Sequence, residues 1–290
     1  MSYAHTPAAF RAGLVQMCSG RDVARNLRDA SALIREAASG GAQYVQTPEV
    51  TNLMELDRER LFAAAEPEST NAGLQQFADL ARELRIWLHL GSLVVRASET
   101  KLANRAFLIS PAGAVTARYD KIHMFDVDLP NGEVYRESAN YEAGAHAVVA
   151  DLPWGRLGLS ICYDLRFPYL YRALAKGGAS FLAVPAAFTR LTGEAHWTTL
   201  LRARAIEAQC FVLAAAQGGL HEHGRETFGH SLAISPWGHI LAEGGVHPSV
   251  IFADIDPAEI ASVRARVPSL RHDRTFDVVA ASEKAAEISS

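Results

Sequence analysis

Three residues whose side chains can cooperate in acyl transfer each stand at the end of a predicted strand. Cys162 follows an apolar run and precedes an abruptly polar one, so a rigid strand lies behind the thiol and free backbone N–H groups follow it. Glu49 and Lys121 also come directly after predicted strands, and ligands of open α/β sheets bind at the carboxyl ends of strands. The trio offers a nucleophile, a general base and a cation that can stabilise an oxyanion.

Each of these residues also has a purely structural interpretation. Most free cysteines are inert packing residues, and a single acidic residue or lysine beside a strand is most often a solvated loop side chain. Arg166, four residues after Cys162, would favour the thiolate electrostatically. No single residue decides between the two interpretations, whereas the combination of base, cation and thiol favours an active site.

The histidines raise two competing hypotheses. His221 and His223 are two residues apart, which on a strand would place both imidazoles on one face, where they could bind a metal. They lie in a glycine-rich segment that lacks the other ligands of a zinc site, and no phosphate-binding or dinucleotide-binding motif occurs, so we expect neither metal nor cofactor. A Cys–His dyad with the Cys162 thiol is the second hypothesis. Three histidines are candidates for it: His123, His196 and His230.

Composition narrows the classes of protein that remain. The 290 residues include 28 Lys+Arg against 32 Asp+Glu, a formal net charge of −4, which argues against a nucleic-acid-binding protein. Hydrophobic residues make up 49%, so wholesale disorder is excluded. The three cysteines are too few for a disulfide framework and favour a reducing compartment. Without a signal-peptide pattern or an apolar run of about 20 residues, we expect a cytoplasmic protein with no membrane contact.

Short apolar runs alternate with amphipathic segments along the chain. Helical periodicity predicts helices at 23–39, 75–85, 169–176 and 195–209. Apolar runs predict strands at 13–17, 43–47, 86–95, 181–184 and 211–216. Pro-x-Gly triplets at 111–113, 153–155 and 236–238 predict three hairpins. We expect one layered α/β domain with mixed sheets at 10–279, between flexible tails at 1–9 and 280–290.

The chain resembles the nitrilase, or carbon–nitrogen hydrolase, superfamily over roughly residues 11–277. The Glu–Lys–Cys triad of that family maps onto Glu49 in TPEV, Lys121 in YDKIHMFD and Cys162 in SICYDLRFP. A second glutamate of the family maps onto Glu137 in YRES. The resemblance implies a four-layer α-β-β-α sandwich, which pairs with a second copy into a homodimer or a larger homo-oligomer.

Within the superfamily, CYDLRFP and the run 192–217 look most like the branch of deaminated glutathione amidase and omega-amidase. The implied reaction is hydrolysis of an amide by water through a cysteine thioester. Glu49 would accept the thiol proton and protonate the leaving ammonia, while Lys121 and the backbone N–H of Tyr163 would hold the oxyanion. Glu137 would position the lysine or the substrate amide.

The resemblance fixes the substrate less well than the reaction. Arg166 is a candidate anchor for a substrate carboxylate, since a guanidinium binds a carboxylate through two parallel hydrogen bonds. The alternative is a structural ion pair between Arg166 and a nearby acid such as Asp164. Phe188 and Thr189 are expected to line the pocket. Two departures from the family pattern, Glu194 and the loop 126–133, are expected to shape its mouth.

Three functions remain open on the sequence. The first is an amidase acting on deaminated glutathione or on dicarboxylic or keto-acid monoamides. The second is an N-carbamoyl-amino-acid hydrolase or aliphatic nitrilase that uses the same triad. The third is a non-enzymatic scaffold that retains the fold, and the joint presence of Glu49, Lys121 and Cys162 argues against it.

Overall fold

A computed structural model describes residues 8–279. The flexible tails predicted at 1–9 and 280–290 lie outside the described residues, except that residues 8 and 9 are exposed and have no regular secondary structure. The boundaries predicted for a single domain at 10–279 stay a prediction.

Sixteen strands occur in residues 8–279. They are β1 (Phe10–Gln16), β2 (Tyr44–Gln46), β3 (Trp87–Arg96), β4 (Leu102–Ile109), β5 (Val115–Asp120), β6 (Asp126–Asp128), β7 (Val134–Arg136), β8 (Val149–Leu152), β9 (Gly155–Leu159), β10 (Phe181–Ala183), β11 (Phe211–Ala214), β12 (Gly218–Leu220), β13 (Glu226–Phe228), β14 (Leu232–Ile234), β15 (Ile240–Glu243) and β16 (Ser249–Ile255).

The same residues form seven α-helices. They are α1 (Val23–Ser39), α2 (Arg58–Ala64), α3 (Ala72–Leu84), α4 (Glu137–Asn140), α5 (Pro168–Lys176), α6 (Arg190–Ala208) and α7 (Ala258–Arg266). Short 3-10 turns occur at Glu68–Thr70, Cys162–Arg166 and Ser269–Arg271.

Two six-stranded mixed sheets form the centre of the molecule. The first has the order β16-β1-β2-β3-β4-β5, and the second has the order β15-β14-β11-β10-β9-β8. Strand β2 runs parallel to β1 and β3, and β10 runs parallel to β9 and β11, while the remaining pairs within each sheet are antiparallel. The mixed sheets predicted from the sequence are therefore confirmed.

Strand β4 shows how the layers stack. Its residues Ala106 and Leu108 belong to a core that also contains side chains of the second sheet, such as Phe181. The alternate residues Phe107 and Ile109 belong to a second core formed with α1 and α3. Because successive side chains of a strand point to opposite faces, the near-continuous apolar runs are buried on both faces.

Helices cover the outer face of each sheet. Helices α1 and α3 pack on the first sheet, and α5 and α6 pack on the second. The order of layers is therefore helix, sheet, sheet, helix, which is the four-layer α-β-β-α sandwich that the resemblance implied.

The sequence predictions of helix starts differ in accuracy. Helix α1 begins after Asp22, whose side chain accepts a hydrogen bond from the Arg25 N–H, as predicted. Helix α6, predicted at 195–209, begins five residues earlier because Thr189 provides its N-cap. Gly193 lies inside this helix, and a larger residue would not fit there because the Phe228 side chain occupies the space that a Cβ would take.

The predicted hairpins β4–β5, β8–β9 and β14–β15 are all present. Their turns contain Gly113, Gly155 and Gly238, each with a positive φ, which glycine adopts without steric cost. The sequence predictions omitted α2, α7 and the short hairpins β6–β7 and β12–β13. They also omitted β16, which pairs antiparallel with β1 along seven residues.

Candidate active site

The residues predicted to form a triad come together at the ends of strands from both sheets. Glu49 follows β2 and Lys121 follows β5 of the first sheet, and Cys162 follows β9 of the second. Lys121 Nζ lies 2.9 Å from Glu49 Oε1, although the two residues are 72 positions apart. All three side chains are buried and line one cavity of about 240 Å³.

Three donors fix the Glu49 carboxylate. Its Oε1 accepts hydrogen bonds from Lys121 Nζ and from Asn104 Nδ2, both at 2.9 Å. Its Oε2 accepts one from the backbone N–H of Ala187, also at 2.9 Å. Asn104 on β4 was not predicted, and its only sequence signal is a polar residue in a strand that is apolar apart from Asn104 and Arg105. These contacts hold the carboxylate ionised and immobile beside the thiol.

Glu137 completes the cluster around the Lys121 ammonium. Lys121 Nζ lies 2.9 Å and 2.8 Å from the two carboxylate oxygens of Glu137. The N–H of Phe125 donates to Glu137 Oε2 at 2.6 Å, which anchors the carboxylate from its other side. The structure therefore places Glu137 where the resemblance implied, in direct contact with the lysine.

A short turn presents the Cys162 thiol. The residue adopts a φ of 51°, which is uncommon for a side chain other than glycine and marks a constrained site. The Cys162 N–H donates to the Pro185 carbonyl at 2.8 Å, and the Asp164 N–H donates to Ile161 at 3.1 Å. Between them the N–H of Tyr163 has no backbone acceptor in residues 8–279, so it is free to bind an oxyanion.

Asp164 holds this turn in place rather than pairing with Arg166. Its Oδ2 accepts hydrogen bonds from the Ile161 N–H at 2.9 Å and the Tyr119 hydroxyl at 2.6 Å. Arg166 instead packs over the rings of Tyr163 and Phe188. The alternative interpretation of Arg166 as the ion-pair partner of Asp164 is therefore wrong.

The charges of the cluster determine the protonation state of the resting site. Burial and the negative charge of Glu49 raise the pKa of the Cys162 thiol well above 9.0. Burial opposes ionisation of Glu49, but the charge of Lys121 and the hydrogen bonds from Cys162, Lys121 and Asn104 together outweigh it and lower the pKa of the carboxyl below 4.5. Burial likewise opposes the ammonium form of Lys121, and the charges of Glu137 and Glu49 raise its pKa. The site thus rests as thiol, carboxylate and ammonium.

All the predicted site residues line the same cavity. These are Glu49, Lys121, Glu137, Cys162, Tyr163, Arg166, Phe188 and Thr189. No residue of the loop 126–133 lines the cavity, although β7, the second strand of the same hairpin, does; a role of this loop at the mouth stays a prediction. Glu194 does not line the cavity, since it lies on the exposed side of α6 and pairs with Arg190 at 3.1 Å. The prediction for Glu194 is wrong.

The three histidines of the proposed Cys–His dyad are engaged elsewhere. His123 Nδ1 lies 2.6 Å from Asp164, and His196 and His230 contact Arg166 and Glu243 respectively. The described part of the cavity wall contains no histidine. The structure therefore offers the Cys162 thiol no imidazole base.

The imidazole of His221, one of the two candidate metal ligands, is already hydrogen-bonded within the protein. Its Nδ1 lies 2.8 Å from the Ser19 carbonyl and its Nε2 lies 2.7 Å from the Thr227 hydroxyl. Burial lowers its pKa to about 4. The ring therefore has a structural role between two segments of the chain.

The four-layer sandwich thus holds a buried thiol, a carboxylate and an ammonium in one cavity. A family model described as carbon-nitrogen hydrolase matches residues 11–265. The chain is 42% identical over 265 residues to the deaminated glutathione amidase of Yersinia enterocolitica, covering 90% of this chain and 92% of that protein. The chain belongs to the carbon–nitrogen hydrolase family, and it is an enzyme that hydrolyses non-peptide C–N bonds of amides.

Solved structures confirm the architecture. The C. elegans NitFhit protein superposes with a TM-score of 0.87 at 37% identity, covering 93% of this chain and 66% of that one. Nit3 of Saccharomyces cerevisiae, a member of branch 10 of the nitrilase superfamily, superposes with a TM-score of 0.84 at 28% identity, covering 94% and 100%. Among the described residues, no helix is both long and apolar enough to cross a bilayer.

Proposed function

We propose that this enzyme hydrolyses the amide bond of a small carboxylate-bearing substrate, deaminated glutathione or a keto-acid monoamide, through a thioester on Cys162. The observation that carries the proposal is the buried cluster in which Lys121 lies within hydrogen-bond distance of both Glu49 and Glu137. The similarity to a protein named deaminated glutathione amidase supports the choice of substrate.

The first half-reaction forms the thioester. Cys162 Sγ attacks the amide carbonyl carbon while Glu49 accepts the thiol proton, so the sulfur never exists as a free thiolate in the buried site. Lys121 and the Tyr163 N–H stabilise the tetrahedral oxyanion. When the intermediate collapses, the C–N bond breaks and the leaving amine takes the proton from Glu49.

The second half-reaction uses water. Glu49, again ionised, accepts a proton from a water molecule that attacks the thioester carbonyl. The C–S bond then breaks, the carboxylic acid product leaves, and Cys162 regains its proton from Glu49. Glu137 keeps Lys121 charged and positioned throughout, because its two oxygens contact the ammonium.

A substrate comparison tests the proposal. Purified protein is incubated with deaminated glutathione, 2-oxoglutaramate, an N-carbamoyl amino acid and an aliphatic nitrile. We expect 2-oxoglutarate from the first two substrates, and mass spectrometry of the quenched enzyme should show a 2-oxoglutaryl adduct on Cys162. Carbon dioxide from the carbamoyl compound, or turnover of the nitrile alone, would contradict the proposed substrate class.

We also propose that the enzyme is a homodimer. Large apolar side chains are exposed on the outer helices of the second sheet, with Tyr169 on α5 at 65% and Ile206 on α6 at 51%, and exposed apolar patches mark protein interfaces. Trp197, a large apolar residue on the same helix α6, is buried within the subunit and is not available to a partner. Light scattering after size exclusion should give at least twice the 31.4 kDa of one chain, and a monomer would contradict the proposal.

A further inference from the structure

Arg225 lines the cavity and has a buried N–H group that forms no hydrogen bond with the described residues. It precedes β13 and lines the cavity with its guanidinium close to Tyr135, whose ring centroid is 5.0 Å away. Its Nη2 donates to the Ala187 carbonyl at 2.5 Å. Its Nε is buried and has no acceptor among the described residues. A desolvated N–H of a charged group is costly when it is left without a partner.

The other charges that line the cavity are mostly balanced. Lys121 lies between two carboxylates, as described above. Arg136 Nη2 lies 2.7 Å from Asp128 Oδ1, and the carboxylate of Glu55 lies 3.2 Å from Arg21. Because Arg136 and Glu55 are already paired with other side chains, we do not expect them to bind a charged ligand.

Two guanidinium groups remain unbalanced. Neither Arg166 nor Arg225 forms an ion pair with a carboxylate in residues 8–279. Both line the same cavity as the Cys162 thiol. Although the cluster of Lys121, Glu49 and Glu137 keeps one negative charge, each of the two guanidinium groups is available to pair with a carboxylate of a small ligand in this cavity of about 240 Å³.

The contacts of the two arginines assign them to different halves of the substrate. Arg225 binds the carbonyl of Ala187, whose own N–H binds Glu49, and Glu49 is the group that protonates the leaving amine. Arg166 packs over Tyr163, whose N–H faces the acyl oxygen in the proposed mechanism. In the proposed mechanism, these contacts would place Arg225 beside the leaving amine and Arg166 beside the acyl half.

We infer that Arg225 is a specificity-determining residue that binds a carboxylate on the amine half of the substrate. This inference rests on the proposed function and narrows it to amides that carry a carboxylate on each side of the scissile bond. Deaminated glutathione has this pattern, with a keto-acid carboxylate on its acyl half and a glycine carboxylate on its amine half. A keto-acid monoamide has only the first.

A comparison of two substrates on three proteins tests the role of Arg225. The substrates are deaminated glutathione and its analogue in which the glycine carboxylate is blocked as a carboxamide, and both are assayed by release of 2-oxoglutarate. Wild-type enzyme should lose roughly 10- to 100-fold in kcat/KM on the blocked substrate, chiefly through KM, since hydrogen bonds to charged groups are worth this much. Arg225→Gln should lose the same factor on the parent substrate and should no longer distinguish the two.

Matched variants complete the design. Arg82→Gln removes an exposed guanidinium on α3 that pairs with Asp79, and it should keep the wild-type preference. Arg225→Lys should restore part of the preference, because it keeps the charge and loses the planar fork.

Three outcomes would overturn the inference. One is a wild-type enzyme that hydrolyses both substrates equally well, a result that does not depend on whether a variant folds. Another is an Arg225→Gln enzyme that keeps the wild-type preference while kcat falls on both substrates, which would mean that Arg225 only supports the Ala187 peptide. A third is a wild-type enzyme that hydrolyses neither compound, and only if it also leaves 2-oxoglutaramate intact would the proposed function be overturned as well.

Discussion

Two buried cysteines lie in different regions of the second sheet, and we expect only one of them to react with a substrate. Cys162 stands on the turn after β9, and Cys210 lies at the junction of α6 and β11. Burial raises the pKa of both thiols, to about 11 in Cys210. Neither thiol is therefore a ready nucleophile by its own acidity.

The surroundings of the two thiols make the difference. The Cys210 sulfur lies 3.1 Å and 3.2 Å from the carbonyls of Ala179 and Ala208, and 3.3 Å from the guanidinium of Arg264. Around Cys162 stand an ionised carboxylate, an ammonium and an open cavity. The proposed mechanism therefore relies on a base that removes the thiol proton during attack, and not on a thiol that is already ionised.

The largest expected effect separates the two cysteines by activity. Cys162→Ala should lower kcat by about 10⁴-fold or more, because the covalent route is lost. Cys210→Ala should keep activity within about twofold, since its thiol lies outside the cavity. Release of 2-oxoglutarate measures both, with circular dichroism to verify that each variant is folded. A Cys162→Ala enzyme with wild-type activity would contradict the mechanism.

The dependence of activity on pH distinguishes a carboxylate base from an imidazole base. The pKa of Glu49 lies below 4.5 and that of Cys162 lies well above 9.0, so the reacting groups keep one protonation state through neutrality. We expect kcat/KM to change by less than about twofold between pH 6 and pH 8. It should fall in acid only as the pH drops through the lowered pKa of Glu49.

A histidine base would give a different profile. An imidazole titrates near its ordinary pKa of about 6.5, so a Cys–His dyad predicts a rise of nearly tenfold in kcat/KM as the pH increases from 5.5 to 7. Observation of that rise, with protein fluorescence unchanged over the range, would contradict Glu49 as the base.

The smallest effect concerns stability. Cys210→Ala should lower the free energy of unfolding by about 1–2 kcal/mol, because it removes a fully buried side chain and its contacts. Cys18→Ala, at a partly exposed position, should cost less. Urea denaturation measures both changes. Equal losses of unfolding free energy in the two variants would contradict the prediction that the buried Cys210 side chain contributes more to stability than the partly exposed Cys18.

Much of the fold was predictable because its signals are local. The alternation of apolar runs with amphipathic helices and the Pro-x-Gly turns predicted the layered α/β class, the three hairpins and helix α1. Strand β16 was missed because its pairing with β1 joins residues more than 230 positions apart. Helix α6 was predicted too short, and its missing first turn contains Gly193, a weak helix former. The reason for a glycine at this position is the packing of Phe228, which lies on the distant strand β13.

The sequence by itself determined the kinds of groups that the proposed mechanism uses. Local pattern marked Glu49, Lys121 and Cys162 as strand-end residues, and resemblance to a family added Glu137. Only the tertiary structure decided how their charges act, since pKa shifts depend on burial and on distances between residues far apart in the chain. It also added Asn104 and Arg225, which no motif marked, because a side chain lines a cavity through the packing of separate elements.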